Sequence, residues 1–165
     1  MIEGDVAAGR PAVVAFGANL GDRRATVLSA VRELAGADGV EVTAVSDVIE
    51  SIALKPAGED PAAPAYLNGV VLLRTTLAPL ALLAVLNRIE ESHGRVRTER
   101  WGDRTLDLDL VDYDGEVSDD PRLTLPHPRA AERDFVLRPW LQVDPEAAIA
   151  GQGRVADLLA RLEAE

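Results

Sequence analysis

Cysteine is absent from this chain, which excludes both a disulfide framework and a zinc–thiolate centre. No apolar run approaches the ~18–20 residues that a membrane span needs, so no membrane partner is expected. The opening stretch, Met1 to Pro11, carries Glu3 and Asp5 and has no apolar core. It does not read as a secretion signal, and a cytoplasmic protein is the expectation. Lysine is nearly missing, with Lys55 alone; that scarcity is as well explained by genomic base composition as by function. Aromatic residues are few, and they do not interleave along the strand-like segments as they do on RNA-binding sheets. With a net charge of −11, the chain is poorly suited to neutralising the phosphates of a nucleic acid, and no nucleic-acid partner is expected.

What is present is a globular composition. Apolar residues make up 47% of the 165 positions, which excludes a disordered chain and predicts one domain over residues 1–165, with 1–10 as a flexible N-terminal extension. A monomer is expected. The few cations are unevenly placed: four of the 17 basic residues fall between Arg95 and Arg104. A local basic segment in an acidic protein suits a small polyanion better than a duplex.

Periodicity outlines the elements. Pro11 to Phe16 is an apolar run ending in Gly17-Ala18-Asn19-Leu20-Gly21-Asp22, a buried strand followed by a turn. Asp22 is placed to cap a helix through Ala35, with Val27, Leu28, Val31 and Leu34 on its apolar face. Val40 to Ile49 alternates loosely as a second strand. Glu50 to Ala65 holds Pro56, Gly58, Pro61 and Pro64 and reads as a long exposed loop. Tyr66 to Thr75 is a third strand. Ala78-Pro79 opens a helix whose stripe is Leu82, Leu83, Leu86, Ile89 and Glu90, ending at His93-Gly94. Asp112, Asp114 and Gly115 make a turn, Val136 to Val143 a further helical turn, and Arg154 to Leu162 an amphipathic helix.

Gly94 to Leu110 has two halves of opposite character. The first packs four arginines and Trp101 between glycines and reads as a loop. In the second, Leu106, Leu108 and Leu110 alternate with Thr105, Asp107 and Asp109, a strand with leucines on one face and carboxylates on the other. Two aspartates at i and i+2 lie ~6–7 Å apart on such a face. Taken alone, the pair is better read as the solvated face of an edge strand. With Arg95, Arg97, Trp101 and Arg104 just upstream, a magnesium platform beside a polyphosphate clamp becomes the better reading. Magnesium accepts one or two carboxylates and completes its shell with water and phosphate oxygens, and guanidinium forks match phosphate geometry.

The run Arg-Val-Arg…Arg-Trp-Gly-x-Arg-Thr-Leu-Asp-Leu-Asp resembles the signature of the hydroxymethyl-dihydropterin pyrophosphokinase family of folate biosynthesis. Gly-Ala-Asn-Leu-Gly, Tyr-Leu-Asn, Pro-His and Arg-x-Phe match that family in order, from about Val13 to Glu146. The resemblance implies an α+β fold, a ferredoxin-like sandwich with a mainly antiparallel sheet and helices packed on it, which the order strand-helix-strand-strand-helix-strand also suits. It implies transfer of a pyrophosphoryl group from ATP to 6-hydroxymethyl-7,8-dihydropterin, with two Mg²⁺ ions held by Asp107 and Asp109. By the same resemblance, Arg95 and Arg97 act on the transferring phosphates. Leu83, Asn87, Glu90, Arg97, Arg104, Leu110, His127 and Arg133 bind ATP. Tyr66, Asn68, Trp101 and Phe135 hold the pterin. From the residues alone, Leu83 and Phe135 also suit core packing, Asn68 a strand-entry turn, and Arg133 a surface ion pair. Ser51 to Pro56 departs from the family's Thr-x-Pro element. Segments 51–65 and 94–104 are expected to close over substrate. A nucleotide-sensing module without catalysis would account for the fold and the arginines, but not for the carboxylate pair.

Overall fold

The computed structural model describes residues 9–18, 23–51, 54–55, 58–59, 66–93 and 106–164. Its centre is β1 (Arg10–Ala18), buried on both sides from Ala12 onward, which is why that stretch is apolar without alternation. β1 pairs antiparallel with β6 (Tyr66–Thr75) and with β7 (Leu106–Tyr113). β2 (Val40–Val45) and then β3 (Ile49–Ser51) pair along the far side of β6, giving the order β2-β6-β1-β7. With α1 (Arg23–Ala35) and α2 (Pro79–Ser92) as the two crossovers, this is the antiparallel ferredoxin-like arrangement anticipated above.

Each face of the sheet has its own core. Ala12, Val14 and Phe16 of β1, with Leu106, Leu108 and Leu110 of β7, face α1 and α2 through Val27, Leu34, Leu82, Leu86 and Ile89. Val13 and Ala15 face the other way, with Val70 and Val111, against α3 (Asp134–Val143) and α4 (Val155–Ala164). Successive strand residues point to opposite faces, so one strand serves both cores.

Several elements differ from the pattern-based expectation. Leu28 lies outside the apolar face of α1 and is 58% exposed, while Ala30 is buried. Val27, Ala30, Val31 and Leu34 stand at helical i, i+3, i+4 and i+7, and Leu28 is rotated a full step away. The strand expected over Val40–Ile49 breaks after Val45. There the Ser46 hydroxyl accepts the Val70 N–H at 2.9 Å and donates to the Asp47 carbonyl at 2.8 Å. A short hydroxyl side chain that offers the backbone alternative partners interrupts a ladder. Within the segment expected to be a bare loop, β3 continues the sheet, and β4 (Leu54–Lys55) pairs with β5 (Gly58–Glu59). The turn after β7 is where it was expected: Asp114 and Gly115 take φ of 53° and 69°, the left-handed region that asparagine, aspartate and glycine tolerate. The hairpin that follows, β8 (Ser118–Asp120) with β9 (Leu123–Leu125), was not anticipated. In it Arg122 bridges back to Asp120 at 2.8 Å and holds that carboxyl down to about 2. α3 begins at Asp134 and runs for ten residues, longer than the single turn read from the sequence. α2 starts with Pro79 in its first turn, as expected, and closes on His93, whose ring contacts Glu33 of α1. Among the described residues, no helix is long and apolar enough to cross a membrane.

Candidate active site

The site is built around the outer edge of β7, the last strand of the sheet among the described residues. Leu106, Leu108 and Leu110 anchor that strand in the first core, so Asp107 and Asp109 project to the opposite face, each partly exposed. The β7 edge needs acceptors for its outward N–H groups. Glu90 of α2, 5% exposed, supplies one: its Oε2 accepts the Leu108 N–H at 2.7 Å. A carboxylate in an otherwise apolar helix stripe thus ties α2 to the acidic strand.

A cavity of about 320 Å³ opens along this edge. Leu83, Asn87 and Glu90 form its α2 wall and Leu108, Asp109 and Leu110 its strand wall. His127 and the β8–β9 hairpin close it. That volume lies at the lower end of the range for small-molecule sites. Leu83, Asn87, Glu90, Leu110 and His127, scattered over 45 positions of sequence, therefore line one pocket beside Asp109. Leu83, weighed above as core, is only part-buried and faces this space. Sequence reasoning missed Arg122, Leu123 and Thr124 as lining residues. The Pro121 and Pro128 that bracket them were the available signal.

His127 is fixed at both ends. Its N–H donates to the Val111 carbonyl at 2.9 Å, and its Nδ1 accepts the Arg129 N–H at 3.2 Å, which leaves Nε2 as the protonated nitrogen of a neutral ring. Burial pushes its imidazole below the usual range; Asp109 opposes that shift, while Arg133 and Arg129 reinforce it. Arg133, at the start of α3, reaches Asp109 at 3.8 Å and lies over the Phe135 ring with its guanidinium carbon 5.7 Å from the centroid. The ion pair is long and partly exposed, so it contributes little to stability and leaves the guanidinium free for an anionic ligand. Phe135 is half-buried, packed against the second core and presenting part of its ring.

Strand register brings in the other half of the site. Asp107 on β7 stands opposite Gly17 on β1, and Gly17 stands opposite Asn68 on β6. All three occupy one cross-strand row and therefore one face. Strands lie ~4.8 Å apart, so the Asp107 and Asn68 backbones are about 10 Å apart with no side chain between them. Asn68 is 5% exposed, and its amide donates to the Ile49 carbonyl at 3.5 Å. The row carries a part-exposed carboxylate at one end and a buried amide at the other, with a buried glycine between them. Tyr66 follows two residues earlier on the same strand, opposite Ser51. Arg95, Arg97, Trp101 and Arg104 lie outside the described residues. Among the described residues, no three acidic or histidine side chains converge as a metal cage.

Known proteins can be set against this geometry. A model of the 7,8-dihydro-6-hydroxymethylpterin-pyrophosphokinase family matches residues 13–145. A 2-amino-4-hydroxy-6-hydroxymethyldihydropteridine pyrophosphokinase of Methylorubrum extorquens is 38% identical over 152 residues, 92% of this chain and 93% of the relative. One from Synechocystis sp. is 42% identical over 135 residues, covering 82% of this chain and 67% of the relative. One from Pseudomonas aeruginosa is 39% identical over 147 residues, 89% of this chain and 88% of the relative. Among solved structures, a Plasmodium falciparum HPPK-DHPS superposes with a TM-score of 0.71 at 12% identity, over 93% of this chain and 45% of that one. An HPPK-DHPS in complex with substrates gives 0.67, also at 12% identity, over 93% and 43%. These two structures speak to the fold, and the chain spans less than half of their length. The family match covers most of the chain, and two of the three relatives align over about nine-tenths of their own length: this chain belongs to the 7,8-dihydro-6-hydroxymethylpterin-pyrophosphokinase family.

Proposed function

We propose that this chain transfers the pyrophosphoryl group of ATP to 6-hydroxymethyl-7,8-dihydropterin, giving AMP and the pterin diphosphate. The observation that carries the reading is one cavity shared by Leu83, Asn87, Glu90, Leu110, His127 and Asp109, which stands two residues along β7 from the Asp107–Gly17–Asn68 row. ATP lies in the cavity with its base against Leu83 and Leu110 and its phosphates toward His127, Arg133 and Asp109. The pterin lies along the Asp107–Gly17–Asn68 row, its mixed donors and acceptors meeting the Asn68 amide and its ring against Phe135. The pterin hydroxymethyl oxygen then attacks the β-phosphorus. The bond from that phosphorus to the oxygen bridging to the α-phosphate breaks, AMP departs with that oxygen, and the hydroxyl proton passes to solvent or phosphate.

The donor set suits magnesium. Asp107 and Asp109 offer hard oxygens on one face, and the absence of a third nearby carboxylate or imidazole among the described residues fits ions that complete their shell with phosphate. Bound there, Mg²⁺ supplies charge neutralisation and alignment of the β-phosphate. Two such ions are part of this reading. Arg133 and the Nε2–H of His127 bind phosphate oxygens from the α3 side. Arg95, Arg97 and Arg104 belong to the same clamp, and Trp101 to the pterin clamp, by their place in the family signature.

The test is AMP formation from ATP, followed by chromatography with and without the pterin alcohol. AMP appears only when the pterin and magnesium are both present, and Asp107→Ala abolishes it, by at least ~10³-fold, while the circular dichroism spectrum is retained. Pterin-independent AMP or ADP would mark a phosphohydrolase. Full activity of Asp107→Ala would remove the metal assignment.

A further inference from the structure

A second cavity, of about 580 Å³, lies at the opposite end of β1. Ala12 and Val13 contribute to its floor, about 13–16 Å along the strand from Gly17. Its wall includes Trp140 of α3 and Asp112 at the end of β7. Asp112 is there because of an irregularity in β7. Val14 pairs with Leu110 and Val13 with Asp112, which leaves Val111 as an extra residue, a β-bulge. The bulge turns Val111 and Asp112 together toward the second core.

Each of these two side chains carries a buried polar atom with no hydrogen-bond partner among the described residues: Asp112 Oδ1 and Trp140 Nε1. Trp140 is 2% exposed, and its indole N–H can only donate. Asp112 spends only its other oxygen, on the Gly115 N–H at 3.4 Å. Such groups are costly to bury without partners, and native folds hold few of them. An acceptor and a donor are thus both left wanting on one wall. The rim is acidic. Asp114 is met by Arg10 at 3.8 Å and Glu146 by Arg154 at 3.0 Å, whereas Asp112 and Asp144 have no ion pair among the described residues. Arg74, the one lining cation among the described residues, donates to the Gly9 carbonyl at 2.5 Å. Among the described residues no group of three potential metal ligands converges there, and the volume exceeds what a bare ion needs.

We infer that this cavity is a second ligand site, distinct from the catalytic cleft, for a small organic cation: an ammonium group set beside a hydrogen-bond acceptor. The ammonium pairs with Asp112 and Asp144, and the neighbouring hydroxyl or carbonyl oxygen receives the Trp140 N–H. Burial raises the Asp112 carboxyl above its usual range, helped by nearby Asp114, and a bound cation relieves that cost.

The test uses the full chain labelled with ¹⁵N. It has two tryptophans, so the indole cross-peak that survives in Trp101→Phe is that of Trp140. Three probes of nearly equal size are titrated: ethanolamine, which has both groups; ethylamine, which lacks the acceptor; and ethylene glycol, which lacks the charge. Ethanolamine shifts the Trp140 indole peak and the amides of 112–115 and 144–147 saturably, with a dissociation constant on the order of millimolar, as befits so small a ligand. Ethylamine moves the amides and leaves the indole peak in place; ethylene glycol moves neither. In Asp112→Asn the ethanolamine response is lost. Asp144→Asn, changed at the end of α3, weakens it at least several-fold and keeps the test open should Asp112→Asn fail to fold. A linear response, an equal response to ethylene glycol, or one retained in both variants overturns the site. So does an indole peak that shows contact with water and none with ethanolamine. None of these outcomes depends on pyrophosphoryl transfer.

Discussion

Gly69 shows how much one residue decides. It sits mid-strand in β6, opposite Phe16 of β1, and a Cβ placed there would lie 2.2 Å from the Phe16 ring. Glycine is unfavourable in a strand interior unless something approaches closely, and here an aromatic ring does. Gly69→Ala must push that ring out of the first core, one residue from Asn68. A loss of about 1–3 kcal/mol in urea-unfolding stability is expected, and Phe16→Leu combined with Gly69→Ala recovers part of it. His127 makes a pH argument at the same scale. In the fold, burial holds its imidazole neutral, while in the unfolded chain it protonates near 6.5. The unfolded state then binds the extra proton, so the contribution of His127 stands in full above that pH and is lost as pH falls toward the lower folded value. Between about pH 7.5 and about pH 5, wild type should lose more stability than His127→Asn; parallel curves in thermal melts would contradict this.

At the scale of elements, the α2–β7 contact is the joint of the candidate site. Glu90 bonds the Leu108 N–H, and Tyr113 at the far end of β7 donates to the Leu77 carbonyl just before α2. The two elements are thus held at both ends, with Leu82, Leu86 and Ile89 packed between them and the sheet. Removing the carboxylate leaves a buried N–H without its acceptor, a cost of ~1–3 kcal/mol. Glu90→Ala should therefore lower stability by that amount and raise the KM for ATP more than it lowers kcat. Glu90→Gln, which keeps an acceptor oxygen, should recover most of the stability. Equal stability of the alanine variant, measured by chemical denaturation, would show the bond to be idle.

For the whole molecule, the point of interest is the second face. A ferredoxin-like core needs helices on one face only, yet here α3 and α4 cover the other. α4 lies beyond residue 145, where the family match ends, and its Val155 and Leu158 are buried against that face. Burying a valine or leucine side chain stabilises by roughly 1.5–3 kcal/mol. Truncation after Arg154, which removes α4 alone, should cost about 3–6 kcal/mol, a large share of the 5–15 kcal/mol typical of a domain. The unfolding midpoint in urea reads this directly, and an unchanged midpoint would mean that α4 is ornamental.

Local pattern alone determined the alternating Leu106–Leu110 strand with its two carboxylates, the proline-led start of α2, the Asp114–Gly115 turn, and the order of strands and helices that makes a ferredoxin-like sheet. Each of these depends on spacing along the chain, which a sequence carries in full. Other features needed the packed sheet. The Asp107–Gly17–Asn68 row arises from register between three strands far apart in sequence, and the outward turn of Leu28 from which stripe of α1 meets the sheet. The bond from Leu108 to Glu90 and the Val111 bulge likewise depend on neighbours supplied by distant segments. A side chain's face and partners are properties of pairing and burial, and those exist only once the strands have met.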